Sequence, residues 1–457
     1  MAEVESSESG IDRLSPMPRP ELRVSRPRLN CEPMSDSIKF TYAFAAALAI
    51  GLVVRFWLGS RQVRHVAKHR TAVPALFSKT LSLAAHQKAA DYTFAKVRFG
   101  LAEATWSGMV VVGWTLCGGL DLLNRRLLDS LGGGMAHQLA LVTAFVAITS
   151  LAELPFSLWR SFRLEQKFGF NTMTWSLWLT DAVKGMLVAS VVGVPVAALV
   201  LWIMASAGPL WWLWAWGAWT SLNILLLLFY PTFIAPLFNK FSSLDDVALT
   251  ERVTALMQKC GFKSKGLFVM DGSRRSAHAN AYFTGFGAGK RVVFYDTLLQ
   301  RLTAAEVEAV LAHELGHFKH RHIIKRVALL FMASLAGFAS LGWLANQSWM
   351  YTGLGVRPNL EASNDAMALL LFMIAVPVFG FFISPLSAIL SRHDEFEADA
   401  YAVAQSSGAD LSTALLKLYY DNASTMTPDP IYTAFYYSHP PASERLARLN
   451  GSTAAMA

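Results

Sequence analysis

Between Ala312 and His317 the chain reads Ala-His-Glu-Leu-Gly-His, a His-Glu-x-x-His pattern. Residues four apart share one face of a helix, so His313 and His317 can hold one metal ion between them. Glu314 stands beside them, placed to take a proton from a metal-activated water. A tetrahedral catalytic zinc takes a third protein ligand and keeps one position open. The stretch His393-Asp394-Glu395-Phe396-Glu397-Ala398-Asp399 offers one. Glu395 and Asp399 lie one helical turn apart on a single face, and Glu397 points elsewhere, as a solvated or packing charge. We expect Glu395 to complete the ligand set for one Zn2+ per chain. Asp399 would then accept a hydrogen bond from a ligand imidazole and fix its tautomer.

These residues need a helix, a neighbouring domain and a route that brings two distant stretches together. Thr303-Ala304-Ala305-Glu306 has the form of a capping box, and Val307, Val310 and Leu311 continue an apolar stripe. The surrounding polar stretch runs from 237 to about 322. It predicts a helix from about Leu244 to Cys260, stopped by Gly261, and short strands at 266–270 and 291–295. Ser273 to Lys290, between the strands, is rich in small residues and glycine.

The rest of the chain is not that of a soluble protein. Of 457 residues, 54% are apolar and 16% charged. Several apolar runs reach the length that crosses a bilayer. They predict spans near 40–58, 105–122, 139–158, 186–204, 210–230, 327–344 and 367–390. Pro231 and Pro236 predict a kinked exit from the fifth. Glu153, near the end of the third, reads as an interfacial carboxylate. The net charge of +8 does not point to nucleic acid, because the basic residues form no face with interleaved aromatics. They cluster between spans, from Arg61 to Arg98 and from Arg160 to Lys184, which places those loops in the cytoplasm. Two spans separate His313 from Glu395, so both return to that same side. Residues 1–38 read as a disordered polar tail without the apolar core of a signal peptide, and 451–457 as a second tail. The three cysteines are scattered and read as free thiols.

With these pieces in place the chain resembles the type I CaaX prenyl proteases, integral-membrane zinc metallopeptidases that cleave prenylated proteins near the C-terminus. The resemblance spans roughly 59 to 450. It rests on Glu165–Asn171, on Arg275-Ser276-Ala277-His278-Ala279-Asn280-Ala281-Tyr282-Phe283, on the His-Glu-x-x-His, on Glu395-x-x-x-Asp399 and on Ser438-His439-Pro440-Pro441. It implies a mainly α, polytopic membrane protein. About seven transmembrane helices would enclose a chamber beside a small α+β zinc metallopeptidase domain. It implies an N-terminal transmembrane domain over 39–237 and a peptidase domain over 238–450 that includes two spans. By the same resemblance His313, His317 and Glu395 are ligands, Glu314 the base, and Asp399 a catalytic proton donor or an orienting group. His278 and Asn280 would contact substrate, since an edge strand can pair with an extended peptide; otherwise they form a polar turn. His439 would donate to the oxyanion or cap the loop before the next helix, and Arg445 could pair with an acid of the site. The partners are a peptide or protein, possibly prenylated, and a lipid bilayer: the plasma membrane of a bacterium or the endoplasmic reticulum of a eukaryote. Two other readings are a membrane quality-control metalloprotease without a prenyl requirement and a seven-helix transporter or receptor.

Overall fold

The computed structural model describes residues 34–456, except 79, 264, 265 and 285–290. Most of the expected N-terminal tail therefore lies outside the described residues. The membrane part contains α1 (Met34–His69), α2 (Leu83–Trp114), α3 (Gly119–Leu131), α4 (Met135–Trp159), α5 (Trp175–Ser206) and α6 (Trp211–Phe229). The peptidase part begins with β1 (Phe241–Ser243), α7 (Val247–Lys259), β2 (Leu267–Met270), β3 (Ala281–Thr284) and β4 (Arg291–Tyr295). It continues through α8 (Ala304–Lys319), α9 (His322–Leu344), α10 (Asp365–Gly380), α11 (Ser384–Gln405), α12 (Gly408–Asp421), α13 (Pro430–Tyr436) and α14 (Ala442–Met456).

Among the described residues, five helices are long and apolar enough to cross a membrane, and up to seven if each of two bent pairs is one span. All seven sequence positions fall on these elements, but two are not straight rods. The α2–α3 pair bends by 47° and the α10–α11 pair by 64°. At the first bend Gly118 adopts φ 75°, a left-handed conformation that suits glycine, immediately before α3 begins. After α6 the chain passes into a π-helical stretch, Tyr230–Ile234, where Pro231 cannot donate to the helical ladder. The helix that ends the chain runs to Met456, through most of the segment expected to be tail; Ala454, Ala455 and Met456 are good helix formers.

The four strands form one sheet in the order β1-β2-β4-β3, with β2 and β4 parallel and the outer pairs antiparallel. β1 and β3 are too short for a sequence signal, and β3 hides in the glycine-rich stretch. The peptidase core joins Val253 and Leu256 of α7, Phe294 of β4, Leu311 and Leu315 of α8 and Leu411 of α12, all buried. A separate core around Phe44, Leu141, Leu201 and Leu371 binds the membrane helices together. Polar contacts tie the two parts. Arg275 donates to Asp181 at 2.8 and 3.0 Å, and Arg61 donates to Asp429 at 3.0 and 3.3 Å. These contacts join the peptidase part to α1 and α5 of the membrane part.

Candidate active site

The helix that carries His313 starts as its sequence predicts. The Thr303 hydroxyl accepts from the Glu306 amide, and the Glu306 carboxylate accepts from the Thr303 amide at 2.7 Å. Glu306 also takes a bond from Lys417 at 2.7 Å, which pins α8 to α12. Along its other face α8 packs on α11. Gly316 makes that approach possible: a Cβ there would lie 2.8 Å from the Ala398 Cα. The two helices therefore meet backbone to backbone, and Glu395 and Asp399 come to face His313 and His317.

His313, His317 and Glu395 present donor atoms that all lie within 4.8 Å of one another. The Nε2 atoms of His313 and His317 are 3.2 Å apart, and the Glu395 oxygens lie 3.5 Å from His313 and 3.4 Å from His317. Ligands about 2.05 Å from a tetrahedral ion stand roughly 3.3 Å from each other. Glu395 Oε2 is buried and, among the described residues, has no hydrogen-bond partner. A buried carboxylate oxygen in that state is costly unless something else meets it. Two imidazoles and a carboxylate converging at this spacing fit a borderline-soft cation.

Behind His313 the charged groups are closely paired. Asp399 Oδ1 lies 2.8 Å from His313 Nδ1, and Arg445 grips the Asp399 carboxylate at 2.8 and 2.5 Å. Asp399 thus stands between the His313 ring and the Arg445 guanidinium. Arg445 Nη1 also stands 3.5 Å from Glu395. Burial alone would lower the pKa of His313, but the Asp399 and Glu395 carboxylates outweigh it and raise it to about 9. Burial pushes the Glu314 carboxyl above its usual range, against the opposing pull of His313 and His317. Glu314 lines a cleft of about 330 Å3 together with the three converging residues, Asn280 and His439.

The other expected site residues divide. Asn280 lines the cleft next to Ala281, the first residue of the edge strand β3. His278 lies two residues before it and turns toward the membrane helices. Its ring stacks on Phe170 at 4.4 Å, Nδ1 meets Asn422 at 2.9 Å, and Nε2 lies 3.7 Å from Glu165. Tyr92 donates to that same Glu165 at 2.9 Å, so the Glu165 stretch and the His278 stretch meet in space. The His439 ring reaches within 3.4 Å of Glu395 and shares a hydrogen bond with Ser438 at 2.9 Å. A second cavity of about 660 Å3 shares Asn280, His439 and Arg445 with the cleft and extends to Tyr92 and Lys96 on α2. Glu153 is exposed on α4 and lines a separate cavity with Arg55 and Glu103, away from the converging residues.

Sequence reasoning missed His322. Its Nδ1 is 3.0 Å from His317 Nδ1, and its Nε2 is 2.9 Å from Glu397. The available signal was a histidine five residues after His317, beyond the helix end. Glu397 is half-buried against this ring rather than a plain solvated charge.

The chain matches two family models. The CAAX prenyl protease N-terminal model, described as five membrane helices, covers residues 62–240, and that of peptidase family M48 covers 243–453. A CAAX prenyl protease 1 homolog of Arabidopsis thaliana is 35% identical, over 69% of this chain and 74% of its own length. The CAAX prenyl protease 1 homolog of Homo sapiens is 30% identical, over 89% and 95%. CAAX prenyl protease 1 of Saccharomyces cerevisiae is 30% identical, over 86% and 91%. The crystal structure of S. mikatae Ste24p superposes with a TM-score of 0.84 at 28% identity, covering 90% of this chain and 99% of that one.

Proposed function

This chain belongs to peptidase family M48 and to its CAAX prenyl protease branch, and we propose that it is a zinc endopeptidase cleaving prenylated proteins near the C-terminus. It is a multi-pass membrane protein and a metallopeptidase whose substrates are peptides or proteins. One observation carries the zinc reading: two imidazoles and a buried carboxylate oxygen, without a hydrogen-bond partner among the described residues, converge beside Glu314.

His313, His317 and Glu395 would hold one zinc. When bound, the ion polarises the scissile carbonyl and makes the attacking water more acidic. Glu314 takes the proton of that water and passes it to the leaving nitrogen. Asp399, gripped by Arg445, keeps His313 in the tautomer whose Nε2 faces the ion. His439, at the cleft mouth beside Glu395, donates to the developing oxyanion. Asn280 and the free edge of β3 take the substrate backbone as an added strand, and His278 holds that segment against Glu165 and Asn422. The basic loops after α1 and α4 support a cytoplasmic active site, with the transmembrane domain ending near 237 and the peptidase domain beginning at 238. The membrane is that of a bacterial cell or of the endoplasmic reticulum, according to the source.

The test is metal content of the detergent-purified chain, together with cleavage of a farnesylated CaaX peptide by wild type and Glu314→Gln. One zinc per chain and cleavage by wild type alone is the expected result. Normal turnover by Glu314→Gln would sink the mechanism. Equal cleavage of the unprenylated peptide would remove the prenyl requirement and leave a general membrane metallopeptidase.

A further inference from the structure

The two imidazoles of the centre are supported differently. His313 is backed directly by the buried Asp399. His317 is backed by a second imidazole, that of His322, whose side chain is 1% exposed. We propose that His322 and Glu397 form a hydrogen-bonded relay that fixes the tautomer of His317 and tunes its strength as a ligand. The inference rests on the metal centre proposed above.

The proton bookkeeping allows one assignment. His317 Nε2 faces His313 Nε2 and Glu395, so its lone pair is the one offered to an ion. A neutral imidazole that gives one nitrogen to a metal carries its proton on the other. His317 Nδ1–H therefore donates across 3.0 Å to His322 Nδ1, which accepts. His322 then carries its own proton on Nε2, and Nε2–H donates to Glu397 across 2.9 Å. The reverse direction would need a ligand imidazole stripped of both protons.

Local structure supports the arm. Arg321 takes φ 59°, a left-handed turn that ends α8 and starts α9 at His322. This is a conformation that glycine adopts most readily, yet the chain places an arginine there. Glu397 comes from α11, the helix that also supplies Glu395 and Asp399. One turn after His322, Arg326 donates to Asp394 at 2.8 and 3.0 Å. Both bonds fall on Asp394 Oδ2; its Oδ1 stands 3.6 Å from His322 Nε2, beyond hydrogen-bond distance, which leaves Glu397 at 2.9 Å as the acceptor. His322, Asp394 and Glu397 also lie close enough together to hold an ion of their own. The guanidinium on Asp394 opposes that use.

The experiment measures zinc affinity by chelator competition and the absorption spectrum of the Co2+-substituted full chain in detergent, for wild type, H322A, H322N, E397A and E397Q. Loss of an orienting partner costs a ligand set about 10–100-fold in affinity. We expect a loss of that size and a shifted Co2+ spectrum in H322A. H322N should recover part of the affinity, because its amide oxygen can accept from His317. E397A should lose several-fold, and E397Q less, since the bond survives without the charge. Should H322A fail to fold, E397A on the half-exposed end carries the same test. Wild-type affinity and spectrum in E397A and in any folded H322A would overturn the relay and leave His322 as packing. Two ions per wild-type chain falling to one in E397Q would overturn it in favour of a second metal site. A wild-type chain that binds no metal would remove the centre itself and the arm with it, whereas loss of affinity confined to the variants leaves the centre standing.

Discussion

A Cβ on Gly316 of α8 would lie 2.8 Å from the Cα of Ala398 and 3.0 Å from its carbonyl oxygen, whereas a Cβ on Gly185 or Gly193 of α5 would meet nothing within 4 Å. Both helices are apolar enough to need a partner, but the partners differ. α5 keeps most of its length exposed and buries only Val200, Leu201, Ile203 and Met204 near its end. In a bilayer that exposed surface meets lipid, which conforms to any shape. α8 buries most of its residues against α11, α12 and α7, where packing is close and a methyl group is felt. The membrane helices therefore ask mainly for apolarity, and the catalytic pair asks for shape and for paired charge.

Changes at the α8–α11 interface should be severe and changes on the lipid face mild. The largest effect falls on the buried charge pair. Arg445→Ala leaves the buried Asp399 carboxylate without its cationic partner and with only the His313 ring beside it, a loss on the order of 3 kcal/mol. We expect at least a hundredfold drop in kcat/KM and a lower melting temperature in detergent. Near-normal values for both would show that the interface tolerates a buried carboxylate without a guanidinium beside it. Gly316→Ala comes next. Forcing the two helices apart should cost about 1–3 kcal/mol and weaken zinc binding in a chelator titration. Wild-type zinc affinity in that variant would mean that the closeness of α8 and α11 does not shape the centre.

The capping box at the start of α8 gives a smaller, pH-dependent effect. Burial raises the Glu306 carboxyl, but Lys417 and the Thr303 amide outweigh this and hold it below its ordinary value of 4.5. Because the folded value is depressed, the contribution is complete above the unfolded pKa and is lost as pH falls through the folded one. Lys417 is partly exposed, so the whole effect should be about 1 kcal/mol. Thermal midpoints measured between pH 3 and 7 should fall less steeply for Glu306→Gln than for wild type. Parallel curves would assign the acid sensitivity elsewhere. The smallest effect is expected at Gly193→Ala. It should leave activity unchanged and stabilise the helix slightly, by about 0.5–1 kcal/mol at most. A loss matching that of Gly316→Ala would erase the distinction between the two regions.

Much of the centre was legible because its signals are local. His313, Glu314 and His317 sit within five residues of one helix, and Thr303 with Glu306 marks where that helix begins. The apolar runs located the membrane helices for the same reason, since a span is a property of one continuous segment. The bends at 47° and 64° were not legible, because breaks in the helix and contacts with other helices set them. Residue patterning did not reveal β1, and an edge strand near β3 was suggested only by the resemblance, because three or four residues carry too little periodicity and only pairing with β2 and β4 makes them strands.

By itself the sequence determined the kind of chemistry: helical spacing fixes which histidines can share an ion, and composition fixes that the chain enters a membrane. Tertiary structure decided the assignments that depend on distant segments meeting. It brought Glu395 to both imidazoles, gave Asp399 to His313 and Arg445 to Asp399, and set His322 and Glu397 behind His317. It also separated His278 from Asn280, turning one toward Glu165 and leaving the other in the cleft. Periodicity fixes the face on which a side chain stands. What that face meets depends on how the helices pack, and here a glycine in α8 allows the close approach to α11 that completes the centre.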